Sequence, residues 1–172
     1  MKRTVRWAAL LAGAIGSVSA FAQTPDLSGT WRLNLKASQV TAGAGLAGLD
    51  RGGTPNTIYV TQAANGTLTI GSDHNQGLAR AYMVGGESAI PAAPSGTVTV
   101  ATRWEGRTLV VESTSAAPPG ALKERLALDA DGQTLTVTVT TSTADVGRTT
   151  TLVYTKTQVE APCRNWPTPC RQ

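Results

Sequence analysis

The residue with the widest chemical repertoire in this 172-residue chain is its only histidine, His74, which follows Asp73 in the segment Ser-Asp-His-Asn-Gln-Gly. A histidine there could act as a metal ligand or a general base. No cysteine or second histidine is near enough in sequence to build a zinc site with it. Asp and Asn beside it are typical of a turn, and no Gly-x-Ser-x-Gly elbow accompanies it. We therefore predict no metal site and no cofactor, and keep His74 as a candidate contact to a bound ligand.

The carboxylates do not form a catalytic pattern either. Asp129 and Asp131 flank a Gly-containing turn, where Asp favours local hydrogen bonds to the backbone. The glutamates are dispersed along the chain. General acid–base chemistry needs groups that lie within hydrogen-bond reach of a substrate, and no such pairing is visible. The sequence thus predicts a protein that is not an enzyme.

The two cysteines, Cys163 and Cys170, both lie in the C-terminal segment Cys-Arg-Asn-Trp-Pro-Thr-Pro-Cys. In an oxidising compartment a local disulfide is the expected outcome for such a pair. A loop this short would add about 2.5 kcal/mol in the chain-entropy model. A metal pair or a redox pair is the alternative, although the spacing is not Cys-x-x-Cys and His74 is far away in sequence.

The first 22 residues have the features of an export signal. Lys2, Arg3 and Arg6 precede an apolar stretch from Trp7 to Val18, and Ala-Phe-Ala at 20–22 fits the small-x-small cleavage rule. We expect cleavage near Ala22 and a periplasmic or secreted protein; an uncleaved membrane anchor is the alternative. No later segment has a long apolar run, so we predict no membrane span in the mature chain.

Without the leader the chain carries twelve basic and eleven acidic residues, because the leader removes three of the fifteen Lys and Arg and none of the eleven Asp and Glu. The basic residues are scattered rather than clustered, which argues against nucleic acid as a partner. About 150 residues suit one domain. We expect a signal peptide over 1–22, a β-domain over 23–156 and a tail with the disulfide over 157–172.

Three segments repeat one pattern, in which a turn residue and Gly precede a strand beginning Thr-Leu: 65–70, 105–111 and 131–137. Asn-Gly and Asp-Gly favour tight hairpin turns. Alternating apolar and polar residues predict nine strands and no long helix. The predicted strands cover 27–35, 57–62, 67–71, 78–84, 97–104, 108–114, 122–129, 134–142 and 148–156. Two long loops separate some of them, at 36–55 and 85–96.

A sheet of consecutive hairpins with one solvated face must close into a barrel or divide into two packed sheets, because its open edges would otherwise promote aggregation. We predict a single antiparallel up-and-down β-barrel; a two-sheet β-sandwich is the alternative. The only Phe lies in the leader, so Val, Leu, Ile and Ala must fill most of the interior. This light filling leaves room for a cavity.

Four aromatic residues are candidates for the interior. Trp31 is in phase with apolar neighbours and is predicted to pack in the core, whereas Trp104 lies at a turn and could be core or a stacking platform for a ligand. Tyr59 and Tyr82 fall on neighbouring hairpins and are predicted to line a cavity, with their hydroxyl groups at its mouth.

The opening segment Asp26-Leu-Ser-Gly-Thr-Trp-Arg-Leu-Asn-Leu-Lys-Ala-Ser38 resembles the first strand of bacterial lipocalin-like secreted proteins, which are calycin-type barrels. Trp-Glu-Gly at 104–106, the stretch 128–135 and Val-Tyr-Thr-Lys at 153–156 are similar to later parts of that group. The resemblance implies that Gly29 and Trp31 mark the closed end of a barrel. It also implies a small apolar or lipid-like ligand in the open end.

These observations lead to one leading hypothesis and two alternatives. The leading hypothesis is an exported, non-enzymatic barrel that binds a small apolar ligand. The alternatives are a protein-binding module, such as an inhibitor-like periplasmic barrel, and an envelope domain without a ligand. If strands alternate in direction from Trp31 onward, the segments 36–55, 72–77, 105–106, 130–132 and the tail share the entrance. Then 65–66, 85–96 and Pro118-Pro119 lie at the closed end.

Overall fold

The computed structural model describes residues 24–40, 54–73, 79–91, 97–113, 121–143 and 146–158. These residues form strands and turns, with no helix among them. Accordingly, nothing in these six ranges is a helix that could cross a membrane. The predicted leader, the cysteine pair and His74 lie outside the described residues.

Ten strands make up the described structure, in contrast to the nine predicted. They are β1 (Gly29–Leu33), β2 (Thr57–Gln62), β3 (Thr67–Ser72), β4 (Arg80–Met83), β5 (Glu87–Pro91), β6 (Thr97–Glu105), β7 (Thr108–Ser113), β8 (Ala121–Leu128), β9 (Thr134–Thr143) and β10 (Val146–Thr157).

The strands form one antiparallel sheet in the order β4-β3-β2-β1-β10-β9-β8-β7-β6-β5. Strands that follow each other in sequence pair with each other, except β4 and β5, which form no ladder. In addition, the first strand β1 pairs with the last strand β10. At that seam the backbone N–H of Gly85 donates to the Thr102 carbonyl at 2.7 Å, and the N–H of Thr102 donates to the Gly86 carbonyl at 3.0 Å. The sheet is therefore a nearly closed up-and-down barrel, which confirms the predicted fold class.

The three repeated turn segments form hairpins as predicted. They connect β2 to β3, β6 to β7 and β8 to β9. Gly66 and Gly132 have φ angles of 84° and 72°, in the region that glycine adopts without strain. In the third turn the Asp129 carboxylate accepts backbone N–H bonds from Gln133 and Thr134, both at 3.0 Å. The turn residues thus fix the strand register, because a one-residue slip would exchange the two faces of the strand.

Alternate residues of each strand face the barrel interior, where they form one apolar cluster. On β9, for instance, Leu135, Val137 and Val139 are fully buried, while the threonines between them are partly exposed. Leu27, which precedes β1, belongs to the same cluster, and the other strands contribute Trp31, Ile58, Val60, Leu68, Ile70, Tyr82, Ile90, Val100, Leu109, Val111, Leu122, Leu126, Leu128, Leu152 and Tyr154.

Two predicted elements need correction. The predicted loop over 85–96 contains the strand β5, in which Ile90 is the only large buried residue. The first strand ends at Leu33 rather than Leu35, and Leu35 is 63% exposed instead of facing the core. There the chain turns, because the Ser38 hydroxyl donates to the Asn34 carbonyl and accepts the N–H of Val153. Gln39 then bridges to Thr151 on β10.

Because the prediction lacked β5, it placed the turns that follow this strand at the wrong end of the barrel. Each strand reverses direction, so inserting β5 moves the β6–β7 turn and the β8–β9 turn to the end that holds Gly29 and the β2–β3 turn. The register agrees, since Leu128 pairs with Leu135, Thr134 with Thr155, and Thr157 with Thr30. The turns near 105–106 and 130–132 therefore lie at the same end as Gly29, whereas the prediction placed them at the opposite end.

Candidate functional site

Trp31 is fully buried and lies near the end of the barrel where β1 begins. Its indole N–H donates to the Leu27 carbonyl at 3.0 Å, and the Lys156 ammonium lies 5.2 Å from the centre of its ring. Gly29 has a φ of 141°, and a Cβ there would lie 2.9 Å from Lys156 Cε. Because Gly29 has no side chain, the Lys156 side chain can extend across Gly29 to the Trp31 ring. Gly29, Trp31 and Lys156 therefore lie together where β1 begins and β10 ends.

A buried polar cluster crosses the interior further along the barrel. Arg80 on β4 forms an ion pair with Glu124 on β8, with Arg80 Nη1 at 3.0 Å from Oε1 and 3.2 Å from Oε2. The Tyr82 hydroxyl donates to Glu124 Oε2 at 3.1 Å. The two charged side chains are 0% and 1% exposed. We call Arg80, Tyr82 and Glu124 the interior triad.

The interior triad joins opposite walls of the barrel. In the strand order, β5, β6 and β7 separate β4 from β8 on one side, and five strands separate them on the other. Its members are in phase with apolar residues: Glu124 alternates with Leu122 and Leu126. Burial raises the pKa of Tyr82 well above its usual value near 10, so this hydroxyl stays protonated and donates. The triad is therefore an ion pair with one hydrogen-bonded hydroxyl group, buried among apolar side chains.

Two further hydroxyl groups are buried on the inner face. Ser72 shares the face of Leu68 and Ile70 on β3, and Thr102 shares the face of Val100 on β6. Ser72 is 0% exposed and Thr102 is 2% exposed. Within the described part of the chain neither side-chain oxygen has a hydrogen-bond partner. Buried hydroxyl groups normally have partners, so these two could bond to a ligand.

Three of the four predicted ligand contacts lie in the described residues, and these three do not share one surface. Tyr82 is inside the barrel, in the interior triad. Tyr59 lies between the inward-facing Ile58 and Val60 on β2, so it belongs to the outer face. Trp104 is partly buried against the core, at the end of the barrel shared with Trp31. His74 lies outside the described residues.

A separate cleft of about 470 Å³ lies beside the opposite end of β1. Arg32, Asn56, Thr57 and Asp73 contribute to its lining. Burial, and then the negative charge of Asp73, raise the pKa of Tyr59. This cleft is polar and lies on the outer side of the sheet, so it differs from the apolar interior.

Arg80 and Glu124 were not among the predicted site residues, although the sequence carries a signal for both. Each is a charged residue at a position where the strand alternation requires an inward side chain: Arg80-x-Tyr82 and Leu122-x-Glu124-x-Leu126. Charged residues are almost never fully buried unless paired. Two opposite charges in inward phase on different strands therefore indicate a buried pair.

Neither a protein-family model nor a curated protein matches the sequence. Among solved structures, zebrafish ileal bile acid-binding protein in complex with cholic acid matches with a TM-score of 0.52 and 16% identity, over 76% of this chain and 98% of that one. The REP1-NXSQ fatty acid transporter matches with a TM-score of 0.54 and 12% identity, over 78% and 98%.

These neighbours define the class of fold. The chain has the fold of these neighbours, an antiparallel up-and-down β-barrel that ten strands nearly close. The predicted resemblance to calycin-type barrels is confirmed at the level of the fold. At such low identity the likeness concerns the fold alone, and site residues do not transfer with it.

Proposed function

We propose that this protein is an exported, non-enzymatic barrel that binds a small, largely apolar ligand in its interior. The observation that carries the proposal is the interior triad, which is buried among the apolar side chains of the barrel. Binding sites for small molecules combine mostly apolar walls with a few well-placed polar groups. The buried hydroxyl groups of Ser72 and Thr102 add two such groups.

The energetics of the triad also support a binding role. A buried ion pair is often no more stable than apolar residues of the same volume, because both charges lose their hydration. A barrel that served only as a scaffold would gain little from Arg80 and Glu124, whereas a binding protein can use their polar atoms. The named structural neighbours are a bile acid-binding protein and a fatty acid transporter, which agrees with such a role.

Native mass spectrometry of freshly purified protein, together with Nile red fluorescence, tests this proposal. We expect co-purified apolar mass or a saturable blue-shifted Nile red signal. Val137→Phe, which fills the interior, should weaken the Nile red signal, whereas Thr138→Phe on the outer face of the same strand should not. A consistently empty barrel that does not bind Nile red would contradict the proposal and favour a protein-binding module or a ligand-free envelope domain.

Export is the second part of the proposal and rests on the sequence of residues 1–22. The intact mass of protein recovered from the periplasm or medium should correspond to a chain beginning at Gln23. It should also be two hydrogens lighter than the free-thiol form, because Cys163 and Cys170 are proposed to be linked. A mass that retains the leader would refute cleavage, and two free thiols would refute the disulfide.

A further inference from the structure

The charge balance of the interior indicates which ligands it would accept. Among the described inward-facing residues, Arg80 is a buried cation and Glu124 is a buried anion, and they neutralise each other at 3.0 Å. Tyr82 is a protonated donor whose hydrogen bond already goes to Glu124. No net positive charge is therefore left at the triad for an incoming anion.

An ionised carboxylate entering this interior would lose its hydration beside a cation that is already paired. Burying a charge is very unfavourable unless it gains an opposite charge and hydrogen bonds. The carboxylate would have to compete with Glu124, which is held by two contacts from Arg80 and one from Tyr82. An uncharged polar group has a much smaller desolvation penalty, and a hydroxyl can both donate and accept. Ser72 and Thr102 offer buried hydroxyl groups of matching chemistry.

We propose that the barrel interior selects uncharged amphiphiles, such as long-chain alcohols, over the corresponding carboxylates, because Glu124 neutralises Arg80. This inference rests on the proposed binding function and adds to it the chemical class of the ligand. Glu124 is thus a specificity-determining residue, which acts by occupying the cation that an acidic ligand would need.

Displacement of Nile red by dodecan-1-ol and by dodecanoate at pH 8 tests the inference. The wild-type protein should bind the alcohol at least about tenfold more tightly than the carboxylate. Glu124→Gln keeps the size of the side chain and removes its charge, so the affinity ratio should shift toward dodecanoate by about tenfold or more. Glu112→Gln is the matched control, since Glu112 lies on the neighbouring strand β7 and pairs with the exposed Lys123 and Arg103. It should leave the ratio unchanged.

The outcomes separate this inference from the binding function. If dodecanoate binds the wild type as tightly as the alcohol, the inference is wrong and the binding function stands. A wild-type preference for the alcohol that Glu124→Gln leaves intact would also overturn it, since charge compensation would not be the cause. If neither compound displaces Nile red because Nile red does not bind, the binding function itself fails. Should Glu124→Gln not fold, the wild-type affinity ratio alone decides.

Discussion

The Arg80–Glu124 pair allows a quantitative test of the barrel interior. Removing one partner, in Glu124→Leu or Arg80→Met, leaves the other charge buried and without its counter-ion. The side chains are 0% and 1% exposed and 3.0 Å apart, so water screens them little. With an effective permittivity of about 20, charges this close attract by about 5 kcal/mol. Each single variant should therefore lose about 3–5 kcal/mol of unfolding free energy, as other broken buried pairs do.

The double variant Arg80→Met/Glu124→Leu should behave differently. It removes both charges and leaves apolar side chains of similar volume, so we expect a stability close to that of the wild type, or higher. The coupling energy between the two positions should then be several kcal/mol, much larger than for residues that do not interact. Tyr82→Phe, which removes the hydroxyl bond to Glu124, should lose about 1–2 kcal/mol.

Urea unfolding followed by tryptophan fluorescence at pH 7 measures these differences. The exposed pair Arg125–Glu105, with side chains 41% and 39% exposed, is the matched control and should show little coupling. Purely additive effects of the two interior substitutions would refute the reasoning. The reasoning would also be refuted if the single variants of Arg80 and Glu124 had the same unfolding free energy as Glu105→Gln, because the triad would then be hydrated rather than buried.

Further measurements test the packing around Gly29 and the surface charges. Gly29→Ala should destabilise the barrel by about 1–3 kcal/mol, because its φ is unfavourable and its Cβ meets Lys156, whereas Gly147→Ala, with open space, should be neutral in urea unfolding. Hydrogen bonds from Arg103 and then Arg125 lower the pKa of Glu105 below its usual value near 4.5, so this stabilisation is present above that pH and is lost on acidification. We expect the urea concentration at the unfolding midpoint to decrease as the pH is lowered below 4.5, and to decrease less steeply in Glu105→Gln. Equal pH dependence in the two proteins would contradict this explanation.

The sequence predicts the fold well where local chemistry and long-range pairing agree. Asn-Gly and Asp-Gly turns beside alternating strands leave one register that buries the apolar face, as the β8–β9 hairpin illustrates. The missed strand β5 has the sequence Glu-Ser-Ala-Ile-Pro, with one large apolar residue and a proline that disfavours strands. Its strand conformation depends on pairing with β6, and β5 lies at the end of the sheet order, where a proline is tolerated.

The site is harder to predict than the fold because it depends on contacts across the barrel. Arg80 and Glu124 are 44 residues apart, and nothing local to either shows that the other lies opposite it. Tyrosine is a residue type that often lines cavities, but Tyr59 alternates with the inward-facing Ile58 and Val60 and therefore lies on the outer face. Lys156 comes near Trp31 only because β10 pairs with β1.

One missed strand also changes where a ligand would enter. Because β5 reverses the direction of every later strand, Trp104 lies with Trp31 at the end closed by the tight turns after β2, β4, β6 and β8. Strands β1, β3, β5, β7 and β9 terminate at the other end of the barrel. We therefore expect a ligand of the proposed interior site to enter from that end. Trp104→Ala should then leave the rate of Nile red uptake unchanged, and a slower or faster uptake in this variant would place the entrance at the Trp31 end instead.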